Sequence, residues 1–158
     1  MEEPPAAAPS APVTTPVDTG GLEVTPREGT GQDQIFQLRF TSDAGVSTQS
    51  LMGLLINRVM TGESACYVFG DPNANQYMLV NDSGIGSVVL GKKQKITNNQ
   101  CDLIRQGTSI KKSGNTIELN IHVQFQTSFA GPKKLFGIIQ DAHGATTGLK
   151  PLGTWSVP

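Results

Sequence analysis

Cys66 and Cys101 offer the most definite chemistry in the chain, and they stand 35 positions apart in β-rich surroundings. Bonded to each other, they would close a long loop worth roughly 3–4 kcal/mol through the entropy of the unfolded chain. Left unbonded, they would be two buried thiols in a reducing compartment. Neither has a CxxC partner or a nearby histidine, which argues against metal binding and redox exchange. Two cysteines and no others, in strand-like sequence behind a Pro- and Thr-rich leader, favour the bridge and an oxidising compartment.

The next candidates are oxygen ligands. Asp71, Asn73 and Asn75 alternate within Asp71-Pro72-Asn73-Ala74-Asn75, and Asp82 follows Asp71 by eleven residues, like the opening of a calcium loop. Such a loop turns on a glycine at its sixth position and closes with a bidentate Glu at its twelfth. Here the sixth is Gln76 and residues 77–80 read as strand, so a hairpin turn explains the composition better. Asn81-Asp82-Ser83 fits the N-glycosylation pattern and reads equally as a strand-ending turn before Gly84. His122 and His143 are the only histidines. No nucleophile elbow, paired-carboxylate pattern or Gly-rich phosphate loop accompanies them, so an enzyme is not expected and no cofactor is called for.

Trp155 and Tyr77 are the aromatic rings that could stack on a sugar. Trp155 alternates with Val157, however, and reads first as a core anchor. Lys92, Lys93, Lys95, Lys111, Lys112, Lys133 and Lys134 form three small basic clusters. They could face an acidic glycan or envelope surface, and read more simply as loop charges that keep sheet edges from pairing. A nucleic-acid partner is not expected, because a basic stripe with interleaved aromatics is missing.

The elements that must position these residues divide the 158-residue chain in two. Residues 1–32 hold Pro, Ala, Thr and Gly with almost no large apolar side chain, and should form a disordered, extended tether. They carry a net charge of −4 and residues 33–158 carry +3, within an overall −1. Residues 33–158 are expected to form one domain. Strands are predicted over 34–42, 49–58, 65–69, 76–81, 84–90, 100–105, 116–126, 133–141 and 153–157. In 116–126, Ile117, Leu119, Ile121, Val123 and Phe125 make one apolar row against a polar row on the other face. Residues 51–56 are apolar on both faces, which fits a fully buried central strand better than a short helix. Residues 70–75 separate the clearest hairpin pair. These short strands and frequent turns predict an all-β, antiparallel two-sheet sandwich of the immunoglobulin-like kind. No apolar run is long enough to span a membrane, and the opening residues Met1-Glu2-Glu3-Pro4-Pro5 lack the basic and apolar regions expected of a signal peptide. The cysteines favour a trimmed piece of an exported precursor over a cytosolic protein.

Several segments occur in a distinctive order: Ala65-Cys66-Tyr67-Val68, Leu79-Val80-Asn81-Asp82-Ser83-Gly84, Asn99-Gln100-Cys101 and Ser113-Gly114-Asn115-Thr116-Ile117-Glu118-Leu119. Ser128-Phe129-Ala130-Gly131-Pro132-Lys133 and Gly153-Thr154-Trp155-Ser156-Val157-Pro158 follow. Over residues 34–158 this resembles an uncharacterised immunoglobulin-like module of bacterial secreted and surface proteins. The resemblance implies an exported sandwich with a Cys66–Cys101 bridge and no assigned activity. It departs at Gly148-Leu149, where Gly-Trp would be expected. The resulting expectation is an extracellular or cell-surface structural, adhesion or assembly module, with a fibre subunit as a variant. Its partners would be other surface proteins or copies of itself. A carbohydrate-binding accessory module, with a polysaccharide as partner, is the alternative.

Overall fold

Alternation of apolar and polar residues is the organising signal, and the computed structural model, which describes residues 21–42, 49–141 and 146–158, follows it. The strands are β1 (Leu22–Thr25), β2 (Asp33–Thr41), β3 (Gln49–Asn57), β4 (Cys66–Asp71), β5 (Gln76–Val80) and β6 (Ser87–Val89). They continue as β7 (Lys95–Thr97), β8 (Cys101–Ser113), β9 (Thr116–Phe125), β10 (Gly131–Asp141) and β11 (Lys150–Val157). One sheet runs β1-β2-β9-β8-β7 and the other β11-β10-β3-β4-β5-β6. Every pairing between named strands is antiparallel. The chain is an all-β, two-sheet antiparallel sandwich. Among the described residues no helix is long and apolar enough to cross a membrane.

β9 sits at the centre of the first sheet, and its five odd-numbered residues from Ile117 to Phe125 are all buried. Against it β2 sets Phe36 opposite Ile121 and Leu38 opposite Leu119. From the second sheet Met52, Leu54, Ile56, Val68 and Leu135 join them in one core.

β3 is a central strand buried on both faces, as its unbroken apolar run predicts. Leu55 points away from the main core into a second cluster with Ala65 and Phe136, covered by Tyr67 and Leu149. Burial there pushes the Tyr67 phenol up to about 12. A phenol that ionises more readily when unfolded contributes stability fully below its ordinary value near 10. That contribution is lost as the pH climbs from about 10 through about 12. Denaturation against pH should therefore show an alkaline loss that Tyr67→Phe reduces; an unchanged alkaline limb would assign it to other groups.

The sheets approach closely at Gly70 on β4, which faces inward. A Cβ there would stand 2.8 Å from Leu119 Cδ1 and 3.0 Å from Ile110 Cδ1. Gly70→Val should cost about 1–3 kcal/mol by overpacking, read as a lower urea midpoint with an unchanged slope.

Three expectations need correction. The tether does not extend to residue 32: Leu22–Thr25 pairs with β2, placing Leu22 opposite Phe40 and Val24 opposite Leu38. Those two apolar residues are too few to register as a strand in sequence, yet both are buried. Residues 1–20 lie outside the described residues. β8 runs to Ser113 rather than stopping near residue 105, because β9 needs a partner along its whole length. Lastly, the basic clusters are only partly loop clusters: Lys92 and Lys93 lie in the turn before β7, but Lys95 lies on β7, Lys111 and Lys112 on β8, and Lys133 and Lys134 on β10.

Candidate functional site

Cys66 and Cys101 are joined, with Cα atoms 5.7 Å apart and both residues fully buried. Because β4 and β8 belong to different sheets, the bond fastens one sheet to the other. Beside it lies a buried amide that the sequence did not single out. Asn98, between β7 and β8, donates through Nδ2 to the Ala65 carbonyl at 3.0 Å and the Val80 carbonyl at 3.1 Å. Its Oδ1 accepts from the backbone N–H groups of Gln100 and Cys101, both at 2.8 Å. One side chain thus saturates four hydrogen-bonding positions and ties the start of β8 to the far sheet. Acceptance from residues two and three positions on is the Asx pattern, and an Asn shortly before a strand is its sequence signal.

The oxygen-rich loop is a hairpin turn. Asp71 Oδ1 accepts from the backbone N–H of Asn73 at 2.9 Å and of Ala74 at 3.1 Å. Asn75 takes φ 55°, and its Oδ1 accepts from the Tyr77 hydroxyl at 3.1 Å. Lys112 Nζ donates to Asn73 Oδ1 at 3.1 Å, placing a cation where a metal would compete. Asp82 lies beyond the other end of β5 and accepts from Asn99 N–H at 3.0 Å. The four proposed ligands therefore do not converge. Among the described residues no group of three His, Cys, Asp or Glu side chains could hold a metal ion. The exposed Asn81 sits in a turn closed by its own N–H to Gly86 O and by Gly84 N–H to Asn81 O.

His122 is more engaged than its solvent-facing row suggested. Its Nε2 lies 2.7 Å from Asp33 Oδ1 and its Nδ1 2.6 Å from the Gln106 carbonyl. The ring thus links β2, β9 and the irregularity in β8 between Ile104 and Ser109. His143 lies outside the described residues.

Trp155 is on β11, only 5% exposed, and packs edge-on against Phe36 with ring centroids 5.0 Å apart. Its Nε1 donates to the Gly31 carbonyl at 2.9 Å. Residues 27–31 run along β11: Thr154 N–H donates to Arg27 O, Ser156 N–H to Gly29 O, and Gly31 N–H to Ser156 O. At Gly29 φ is 154° and a Cβ would stand 2.6 Å from the indole Cζ3, so only glycine fits over the ring. Tyr77 is on β5, four strand positions from β11, or about 19 Å at about 4.8 Å per strand. Burial raises the Tyr77 phenol's pKa, with the Ile110 backbone and Arg105 opposing it. Trp155 and Tyr77 therefore cannot form one stacking platform.

What Trp155 does border is a half-open cleft of about 330 Å³, lined by Gly29, Arg58, Pro132, Lys133, Lys134, Thr154, Trp155 and Ser156. Lys133 is 8% exposed, with Nζ 4.0 Å from the centroid of the Phe129 ring and 3.5 Å from the Ala130 carbonyl. Burial lowers the Lys133 pKa, and the nearby Arg58 guanidinium lowers it further. Pairing of β3 with β10 sets Lys134 opposite Asn57, so the next residue, Arg58, comes beside Lys133. Sequence reasoning noted Lys133 and Lys134 but missed Arg58, because some seventy-five residues of chain separate them.

These features define a two-sheet β-sandwich with an inter-sheet disulfide and a cationic cleft at one sheet edge. No protein-family model, curated protein or solved structure matches the chain.

Proposed function

We propose that this chain is an extracellular structural module that works in adhesion or assembly at a cell surface, on an immunoglobulin-like sandwich. The observation that carries the reading is the buried Cys66–Cys101 bond between the sheets. Such bonds persist in oxidising compartments and are rare where thiols are kept reduced. The rest of the molecule supports a passive, load-tolerant role. The sequence motifs suggest no catalytic constellation, and both ring nitrogens of His122 are occupied by acceptors.

Assembly into fibres is a variant of the same reading, and the sheet edges bear on it. The β11 edge is covered by residues 27–31, and β1 is already paired to its own β2. The β6 edge carries Val88 and Val89 at 40% and 42% exposure, beside Ile85 at 81%. An apolar edge of this kind is where another copy could add a strand.

The test is performed on protein from its native source, blocked with an alkylating reagent before any reduction. Mass measurement should show both cysteines unlabelled, and protease added to intact cells should remove the protein. Labelled thiols, or protection from protease, would overturn the reading. Electron microscopy and size-exclusion chromatography then separate a monomeric spacer from a fibre subunit.

A further inference from the structure

We infer that the cleft beside Trp155 is a binding site for an acidic polysaccharide, with Arg58 and Lys134 gripping sugar carboxylates. Four observations converge on it. The cleft has about 330 Å³ of space, within the range of small-ligand sites, and stands half open to solvent, so a sugar unit of a longer chain can enter it from outside.

Its charge is uncompensated. Arg58, Lys133 and Lys134 line it, and among the described residues none of them has a carboxylate within ion-pair distance. The nearest acid along the chain, Glu28, borders an adjoining cleft that shares Thr154, and it forms no ion pair with the three cations. The charge that acts on Lys133 is that of another cation, Arg58. Like charges held together, one of them largely removed from water, are unfavourable until an anion joins them.

The walls suit a pyranose ring. Pro132, Gly29 and the Trp155 edge are apolar, while Thr154 and Ser156 offer hydroxyls. A sugar has an apolar face and a hydroxylated rim, and an acidic sugar adds the carboxylate that a guanidinium grips in bidentate fashion.

Finally, the scaffold is rigid. The indole is fixed by its bond to Gly31 and by Phe36, and Lys133 is fixed over Phe129. A site held in place before binding spends little freedom when it is filled. The choice of a polysaccharide rests on the surface-module reading, whereas the anion cradle does not.

Affinity electrophoresis of the full chain through gels containing polygalacturonate, alginate or neutral dextran tests the assignment. Polygalacturonate and alginate should retard the protein, dextran should not, and the retardation should fall as salt rises. Arg58→Ala with Lys134→Ala should weaken binding at least about tenfold, as expected for two lost charge-assisted bonds. Both residues are exposed, so the melting temperature should hold. Lys111→Ala with Lys112→Ala, on the other sheet, should bind like the parent.

Titration with free galacturonate should shift the Trp155 indole N–H signal in the parent and not in the Arg58/Lys134 variant. Equal retardation by dextran, no retardation by either acidic polymer, or an unaffected Arg58/Lys134 variant overturns the inference. So does binding to anionic lipid vesicles in place of the polymers. Because thiol labelling in cells is an independent measurement, failure of the surface reading and failure of the cleft are distinguishable.

Discussion

Replacing both Cys66 and Cys101 with alanine lowers stability by about 4 kcal/mol, the entropy of closing a loop across a separation of 35 residues. Domains of this size have about 5–15 kcal/mol in all, so the substitution removes a quarter or more of what holds the sandwich together. The bond joins β4 of one sheet to β8 of the other. Without it, the sheets adhere through apolar packing and a few polar ties, the Asn98 amide, the Asn99–Asp82 bond and the Lys112–Asn73 bond among them. Urea denaturation of the parent in reductant should reproduce the loss. The double-alanine variant should be insensitive to reductant. A change under about 1 kcal/mol would mean that the unfolded chain is already confined without the bridge.

Asn98→Ala is expected to cost about 3 kcal/mol or more, from a substitution that deletes only a small polar group. It strands the Ala65 and Val80 carbonyls and the Gln100 and Cys101 N–H groups together. Each buried group left without a partner costs about 1–3 kcal/mol; water entering the gap recovers part of the sum. Asn98→Asp separates the two halves of the node. It keeps an acceptor for the two N–H groups and turns an oxygen toward the two carbonyls, so it should destabilise at least as much as alanine at neutral pH. If Asn98→Asp folds as stably as the parent, the inter-sheet half of the node contributes nothing. Neither variant touches the disulfide, so combining Asn98→Ala with the cysteine pair measures their coupling. A loss smaller than the sum is expected, since Cys101 N–H is one of the donors.

Much of the fold is legible in the residues themselves. The five-residue apolar row of β9 and the doubly apolar run of β3 specify a half-exposed and a fully buried strand. The turn at 70–75 declares itself through Asp, Pro and Asn. The bridge was readable from two cysteines in strands, although sequence could not say that they belong to opposite sheets. Less visible were the parts whose stability comes from elsewhere in the chain. Leu22–Thr25 is a strand because β2 offers an edge, and Gly29 is there because only a residue without a side chain is thin enough to cross Trp155. The second half of β8 looked like a charged loop because Lys111 and Lys112 are exposed and Ile110 alone packs against the core.

The candidate site was legible only in fragments. Trp155, Lys133 and Lys134 stood out by type, and Cys66 and Cys101 by rarity. Arg58 acts through partners far along the chain, and so does the Nδ2 half of Asn98; only its Asx contacts to Gln100 and Cys101 leave a local signal. The proposed oxygen ligands show the opposite case. Asp71, Asn73 and Asn75 have a ligand-like spacing, but turn formation uses the same atoms.

The laying of residues 27–31 beside β11 has a mechanical consequence. The two segments run in the same direction, with Thr30 bridged to Ser156. Traction reaching residue 27 from one side and Val157 from the other would slide them lengthwise past each other. The bonds from Thr154 to Arg27, from Ser156 to Gly29 and from Gly31 to Ser156 would then be strained simultaneously, rather than unzipped in succession. The seam is oriented to resist being pulled apart along its own axis.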